Sequence, residues 1–114
     1  LAKLETEITA NEMSEKRVMS ALSLGQNPGA ASSMFKLRGS ELQQRMLEMT
    51  MKAIGNYANV YQPDAFIPGN NVDPIAPNHA VTATAKYFNQ RAATIYAGSS
   101  EVQRNIIAKH VLGL

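Results

Sequence analysis

The sequence predicts an all-α protein, a helical bundle of four helices joined by one long loop. Three observations predict this class. Apolar residues recur at spacings of three and four residues in four segments, no segment alternates with the two-residue period of a strand, and glycine and proline residues lie between the segments. The chain has 114 residues, which suits one small domain, and we take residues 1–114 as a single, partial domain.

The first helix is predicted over residues 1–24 and the second over residues 30–54. Six apolar residues of the first segment lie at helical spacings: Leu1, Leu4, Ile8, Val18, Met19 and Leu22. Five residues of the second segment share one face: Phe35, Leu42, Met46, Met49 and Ala53. Gly25 ends the first pattern, and Gly55-Asn56 ends the second, because both residue types tolerate the left-handed conformation found after a helix.

A long loop is predicted over residues 57–79, where proline, glycine and asparagine residues are too dense for any periodic pattern. A structureless loop of this length is uncommon in a compact domain. Five large apolar residues lie within it: Val60, Tyr61, Phe66, Ile67 and Ile75. We therefore expect the loop to pack against the helices or against a partner chain.

The last two helices are predicted over residues 80–96 and 100–112, with a break at 97–99. The third segment carries one apolar stripe: Val81, Ala85, Phe88, Ala92 and Ile95. Ser100 and Gln103 have the spacing of a capping box at the start of the fourth helix. Glu101 then lies in the first helical turn, where the helix dipole favours an anion.

Composition argues against several classes of function. Eleven Lys and Arg residues exceed nine Asp and Glu residues by two, and they are scattered, so we do not expect nucleic-acid binding. No cysteine is present, and neither His79 nor His110 has a second ligand at a metal spacing, so we expect no metal site. No apolar run approaches the roughly 20 residues of a membrane span, and the first residues do not resemble a signal peptide. We expect a cytoplasmic protein.

The segment from Ile95 to Ala108 resembles the C-terminal signature of the acyl-CoA dehydrogenase family. It reads Ile-Tyr-Ala-Gly-Ser-Ser-Glu-Val-Gln-Arg-Asn-Ile-Ile-Ala, and the family form is roughly Ile-Tyr-(Glu or Gly)-Gly-Thr-Ser-Glu-Ile-Gln-Arg followed by an apolar helix. The Val-Leu-Gly at 111–113 also matches. The segment Ser-Ser-Met-Phe-Lys-Leu-Arg-Gly at 32–39 resembles the family as well, notably bacterial large-subunit dehydrogenases of the pimeloyl-CoA type.

The resemblance implies the C-terminal helical domain of a flavoenzyme. Such an enzyme uses flavin adenine dinucleotide (FAD) to oxidise an acyl-CoA thioester to its trans-2-enoyl form, passes electrons to an acceptor, and assembles as a homodimer or tetramer. The family's domain begins with a further helix carrying Arg-x-x-Phe-Gly, and this chain begins after it, within a helical pattern. We therefore expect the first bundle helix to be missing and the chain alone to be inactive.

The resemblance also implies where substrate binds. Ala97 occupies the position at which many members carry the catalytic glutamate, so this segment supplies no base. The backbone N–H of Ala97 corresponds to a donor to the thioester oxygen, and Tyr96, Ala97 and Gly98 are the expected substrate contacts. Some members carry the base on the preceding helix, and in others a partner subunit supplies it. Tyr96 also fits plain packing at the end of the third helix.

For the cofactor, the resemblance implies contacts from Ser99 and Glu101, although these residues also fit a simple helix cap. Lys52, Gly55 and Asn56 occupy the family's Gln-x-x-Gly-Gly positions, which reach the FAD of a neighbouring subunit. Two of these three residues depart from the family form, and Lys52 suits a phosphate as a point charge. The rival hypothesis is a free-standing helical oligomerisation module without cofactor.

Overall fold

The computed structural model describes residues 1–113 as helices joined by turns. Its four α-helices are α1 (Ala2–Ser23), α2 (Ala31–Ile54), α3 (Ala83–Asn89) and α4 (Ser100–Ile107). Within residues 1–113 no strand is present, and the predicted all-α class with four α-helices is confirmed. The observed bounds of α1 and α2 lie within one residue of the predicted ones.

The chain forms two compact units, one from residues 1–43 with the segment from residue 92 onward, and one from Gln44–Arg91. Helix α2 runs through both units. The prediction that residues 1–114 form a single domain stays a prediction.

The first unit has a small core and much exposed apolar surface. Helix α1 buries none of its residues, and three large side chains of its predicted stripe, Leu1, Met19 and Leu22, are exposed. Leu42 and Ala93 are the buried apolar residues of this unit. Leu4, Ile8 and Val18 of the same stripe are half-buried, so the apolar face of α1 is only partly covered by the described part of the chain. Exposed apolar surface of this kind usually forms an interface.

The second unit holds the long loop against α3. Two 3₁₀ turns, Gly55–Asn59 and Pro63–Phe66, interrupt the predicted loop. The amide of Gln62 bridges it, because Nε2 donates to the carbonyl oxygen of Asp73 at 3.0 Å and Oε1 accepts from the N–H of Ile75 at 2.9 Å. Thr84 of α3 donates to the carbonyl oxygen of Ala58 at 2.8 Å. These hydrogen bonds hold the loop, but four of its five large apolar residues are exposed: Tyr61, Phe66, Ile67 and Ile75. The burial expected for these side chains is therefore not found within the described residues.

A cavity of ≈ 230 Å³ lies between the loop and α3. Its lining is free of charged side chains and includes the following residues: Tyr57, Val60, Tyr61, Phe66, Ala80, Val81 and Phe88. Tyr61 and Phe66 nevertheless stay exposed at the rim.

The predicted third helix over residues 80–96 is wrong in extent. Helix α3 covers only Ala83–Asn89, and Gln90–Thr94 continue as a 3₁₀ helix. Two successive turns precede α3. In the first, the N–H of Ala80 donates to the carbonyl oxygen of Pro77, and in the second the N–H of Ala83 donates to the carbonyl oxygen of Ala80. Short 3₁₀ pieces are common where an α-helix begins or ends, and tertiary packing decides their extent.

The predicted apolar stripe of this segment is also not the buried face. Ala80 and Ala83 are buried, whereas Ala85 is exposed and the Phe88 side chain is 67% exposed. Small alanine side chains let backbones approach closely, so the alanine face packs inward. The larger residues of the stripe are left facing outward.

The fourth helical segment extends to Leu112 as predicted, but its last turn differs. Helix α4 ends at Ile107, a π-helical turn covers Ala108–Leu112, and Gly113 follows in the left-handed conformation with φ 70°. Across residues 1–113, none of the helices combines the length and the apolar character that crossing a bilayer would need.

Candidate functional site

The turn that precedes α4 is left-handed at two consecutive residues. Ala97 has φ 55° and Gly98 has φ 89°. Within residues 1–113, Ala97 is the only residue other than glycine with positive φ. A left-handed conformation costs an L-residue roughly 1–2 kcal/mol, so its surroundings must hold it in place.

The side chain of Gln103 holds this turn from the inside. Its Nε2 donates to the carbonyl oxygen of Ala97 at 3.3 Å, and the residue is 9% exposed. A Cβ on Gly98 would lie 2.5 Å from the same Nε2, closer than real Cβ atoms approach. Gly98 is therefore favoured by its φ, and a side chain at this position would also displace the Gln103 amide from the turn.

Ser99, and not Ser100, caps α4. The Oγ of Ser99 accepts from the N–H of Val102 at 3.4 Å, and its backbone is extended, as expected of an N-cap. The predicted capping box of Ser100 and Gln103 is wrong, because Ser100 donates to the carbonyl oxygen of Thr94 and Gln103 reaches back to Ala97. The cap therefore lies one residue earlier than predicted, and the Gln103 side chain bonds the preceding turn instead of the cap.

The carboxylate of Glu101 lies in the first turn of α4 and is exposed to solvent. A hydrogen bond from the Ser99 hydroxyl, and one from its own backbone N–H, lower the pKa of Glu101 below its ordinary value of 4.5. The positive charges of Arg104 and Lys36 act in the same direction. Glu101 is therefore an ionised acceptor at neutral pH.

The two cations that act on Glu101 are Arg104 and Lys36. Arg104 Nη2 contacts the Glu41 Oε1 at 2.9 Å. The Nζ of Lys36 is buried and has no hydrogen-bond partner among the described residues. A buried ammonium without a hydrogen-bond partner is costly, and the Glu101 carboxylate is near enough for the Lys36 charge to lower its pKa. This position therefore suits a further acceptor.

Residues 96 and 97 are exposed, and residues 98 and 99 are half-buried. The side chains of Tyr96 and Ala97 are exposed, and the backbone N–H of Tyr96 donates to the carbonyl oxygen of Ala92 at 3.1 Å. In the part of the chain from residue 1 to residue 113, no acceptor is found for the N–H groups of Ala97 and Gly98. Two backbone donors in a strained turn are thus available to a ligand.

Comparison with known proteins gives the family. The sequence profile described as acyl-CoA dehydrogenase, C-terminal domain, matches residues 1–112. The chain belongs to the acyl-CoA dehydrogenase family. It is similar to acyl-CoA dehydrogenase IpdE1 of Mycolicibacterium smegmatis and to the protein of the same name from Mycobacterium tuberculosis, each 68% identical over 28 residues. Each match covers 25% of this chain and only 7% of the relative, and no solved structure matches the chain significantly.

The acyl-CoA dehydrogenase positions predicted from the sequence fall into two groups. Tyr96, Ala97, Gly98, Ser99 and Glu101 are brought together in one turn and the helix that follows it. The other group, Lys52, Gly55 and Asn56, lies in the second unit, where Gly55 ends α2 with φ 58° and the other two side chains are exposed. No cluster of three metal-ligating side chains occurs among residues 1–113.

Gln103 and Lys36 are the residues that sequence reasoning missed. The spacing of Gln103 pointed to a cap, because a pattern of residue types does not reveal which way an amide turns. Lys36 carried no signal beyond its position in the segment that resembles acyl-CoA dehydrogenases.

Proposed function

We propose that the chain is the C-terminal helical part of an FAD-dependent acyl-CoA dehydrogenase, which oxidises an acyl-CoA thioester to the trans-2-enoyl-CoA. The observation that carries the proposal is the left-handed turn at Ala97-Gly98, held in front of a capped helix in a chain of this family. It combines available backbone donors with a hydroxyl and an ionised carboxylate within six residues.

The backbone of the turn would bind the substrate carbonyl. Oxidation removes a proton from the α-carbon, and negative charge then develops on the thioester oxygen. Preorganised N–H donors stabilise such a charge, and deleting one donor typically costs about 10²–10³-fold in rate. We assign this role to the N–H of Ala97, with Tyr96 and Gly98 forming the adjoining surface.

The base that takes the α-proton must come from elsewhere. Ala97 has no carboxylate, and Glu101 is stabilised as an anion by Ser99, Lys36 and Arg104, which makes it a poor proton acceptor. We propose that a carboxylate on another helix of the polypeptide, or on a partner subunit, performs this step. The β-hydrogen leaves with its electron pair, and bound FAD supplies the hydride acceptor.

The residues at the start of α4 fit the FAD they are proposed to contact. Ionised Glu101 is an acceptor of the kind that binds ribose hydroxyls, and Ser99 lies at a helix N-terminus, which favours phosphate. The unpartnered Nζ of Lys36 adds a positive charge on the same side. We propose Ser99 and Glu101 as FAD contacts in this chain, and Lys52, Gly55 and Asn56 as contacts to the FAD of a second copy.

The proposal includes an assembly and an electron acceptor. An electron acceptor would take the two electrons that leave the acyl-CoA, and a homodimer or tetramer would bring the second-copy contacts into place. The 114-residue chain by itself is proposed to be inactive, because it supplies neither a base at Ala97 nor, by itself, the surroundings of a flavin ring.

The test uses the complete polypeptide that contains this chain. We expect it to purify with an oxidised-flavin absorption spectrum that bleaches anaerobically when acyl-CoA is added, with enoyl-CoA formed in equal amount. Ser99→Ala and Glu101→Gln should weaken FAD retention, whereas Glu15→Gln on the exposed face of α1 should not. A polypeptide that neither retains FAD on reconstitution nor oxidises any acyl-CoA contradicts the proposal.

The second candidate is a non-catalytic helical oligomerisation module without cofactor. It is favoured by the exposed apolar side chains of α1 and by the exposed stripe of α3. The same purification separates the two, because a module would associate but would carry no flavin under any reconstitution condition.

A further inference from the structure

We propose that Gln103 is the positioning residue of the substrate-binding turn: its side-chain amide fixes the peptide planes that orient the Ala97 N–H. This inference deepens the proposed function and rests on it for its catalytic meaning. The structural part, that one amide holds one turn, can be tested without any flavin or substrate.

Gln103 makes one hydrogen bond within the first turn of α4 and one to the left-handed turn at Ala97-Gly98. Its backbone N–H donates to the carbonyl oxygen of Ser99 at 2.9 Å, while its side chain donates to the carbonyl oxygen of Ala97 at 3.3 Å. One residue thus joins the start of α4 to the strained position. Gln103 is also at the limit of full burial, so water competes weakly for its amide.

The carbonyl of Ala97 is an effective place to hold the turn. The peptide group is planar and trans, so the Gly98 N–H points opposite to the Ala97 carbonyl. Fixing that carbonyl toward Gln103 directs the Gly98 N–H away from the interior of the unit. The hydrogen bond to the Ala97 carbonyl also fixes ψ of Ala97. With φ of Ala97 at 55°, a fixed ψ sets the direction of the Ala97 N–H relative to the peptide plane between Ala97 and Gly98.

The alternative is that Gln103 only fills space beneath Gly98. The two roles differ in what they require of the side chain. A space-filling role is satisfied by any side chain of the same length, whereas a positioning role requires the Nε2 donor. Gln103→Met keeps the length of the side chain and has no hydrogen-bond donor. Gln103→Glu keeps the shape, but its carboxylate oxygen would face the Ala97 carbonyl oxygen and repel it.

The first experiment is nuclear magnetic resonance on the 114-residue chain. At φ near +55° the amide and α protons of one residue are unusually close, so wild-type Ala97 should give a strong cross-relaxation peak between them. We expect this peak to weaken in both Gln103→Met and Gln103→Glu. Gln43→Met is the matched control, since Gln43 is an exposed glutamine of α2, and its spectrum at Ala97 should remain that of the wild type.

The second experiment measures turnover in the complete polypeptide with the same three variants. A displacement of about 1 Å in a reacting group costs about 10²-fold in rate, and we expect a loss in kcat of that order for both Gln103 variants. KM for acyl-CoA and the FAD content should change by less than about threefold, since FAD is proposed to contact Ser99 and Glu101. Gln43→Met should match the wild type in all three measurements.

The outcomes separate the inference from the proposed function. An unchanged Ala97 signal in both variants overturns the inference, as does an altered signal with unchanged kcat. A variant that loses dispersed amide signals throughout has unfolded, and the other variant then decides. If the Ala97 signal changes as expected but the wild-type polypeptide binds no FAD, the proposed function is overturned while the role of Gln103 in holding the turn is confirmed.

Discussion

The guanidinium of Arg91 lies over the aromatic ring of Tyr87, with its central carbon 4.6 Å from the ring centroid. The same guanidinium contacts Glu48 at 3.2 Å and donates to the carbonyl oxygen of Gln44 at 3.4 Å. Arg91 therefore connects α2 to the end of α3 within the second unit. Each contact alone is modest, but three partners act on one planar group.

The first prediction follows from this arrangement. Arg91→Ala should lower the free energy of unfolding by about 1–3 kcal/mol, because it removes a cation–π contact and hydrogen bonds to charged groups. Arg91→Lys should recover less than half of the loss, since an ammonium cannot make the same planar contacts. Urea midpoints measure the effect, and Arg17→Ala on exposed α1 is the control. A loss no larger than that of the control would contradict the prediction.

A second prediction concerns the amide that bridges the long loop. Gln62→Ala removes two hydrogen bonds across residues 62–75, each worth about 0.5–1.5 kcal/mol, and should lower the free energy of unfolding by about 1–3 kcal/mol. Proteolysis within residues 63–74 should become faster before the helices are cut. Gln26→Ala, an exposed glutamine between α1 and α2, should leave both measurements unchanged. Equal cleavage rates in the two variants would show that the loop is held by other contacts.

A third prediction concerns self-association. The apolar side chains exposed on α1 and α3 include Met19 and Phe88, and surfaces of this kind usually form interfaces. We expect light scattering to give a mass of at least a dimer at micromolar concentration. Phe88→Glu should reduce the mass, whereas Asn89→Glu adds the same charge to an exposed polar neighbour and should not. A well-folded monomer at this concentration would refute the prediction.

A fourth prediction concerns the base. In the complete polypeptide, removing the carboxylate that serves as base should lower turnover by about 10²–10⁴-fold. Ala97→Glu in that background should restore part of the activity, because it places a carboxylate at the position many members use. In the control Ala97→Gln, the new side chain has the size of glutamate but carries no carboxylate, so this variant should restore no activity. If both replacements behave alike, Ala97 does not lie within reach of the substrate α-carbon.

A fifth prediction concerns the pH dependence of stability. The Ser99 hydroxyl is the largest cause of the lowered pKa of Glu101, so Ser99→Ala should raise that pKa toward 4.5. Because the folded pKa is lowered, the unfolded chain binds more protons as pH falls through and below 4.5. The stabilisation by Glu101 is thus present above pH 4.5 and lost as pH falls through the folded pKa.

Carbon-13 titration of the Glu101 carboxyl measures the shift directly. Urea midpoints from pH 3 to pH 6 measure its consequence, with Glu101→Gln expected to flatten the curve in the acid range. Glu15→Gln is the control on exposed α1. An unchanged Glu101 titration in Ser99→Ala would mean that the serine hydroxyl does not set the pKa.

The sequence predicted the long helices better than the short one. Helices α1 and α2 are 22 and 24 residues long, and glycine residues lie close to their ends, so local information decides their bounds even though Asn11 and Glu15 interrupt the stripe of α1. Helix α3 has a pattern as regular, yet its alanine face is buried and Phe88 is exposed. Which face is buried depends on the loop packed against it, and the period alone does not contain that information.

In the candidate site, too, the sequence predicted the segment but not the contacts of its side chains. Family resemblance predicted a site at Tyr96 to Glu101, and these residues form one turn and the start of α4 in the structure. The cap at Ser99 and the reach of Gln103 depend on backbone angles that a spacing rule does not specify. Lys36 was missed because its partnerless Nζ becomes visible only when burial is known.

The relation between Gly98 and Gln103 has a consequence for how this chain can change over time. Position 98 is restricted twice, by a backbone angle of φ 89° and by an amide nitrogen that would lie 2.5 Å from any added Cβ. An added Cβ would push aside the end of the Gln103 side chain, which is the part that donates to the Ala97 carbonyl. Positions 98 and 103 are therefore coupled, because a substitution at either one releases the same peptide group.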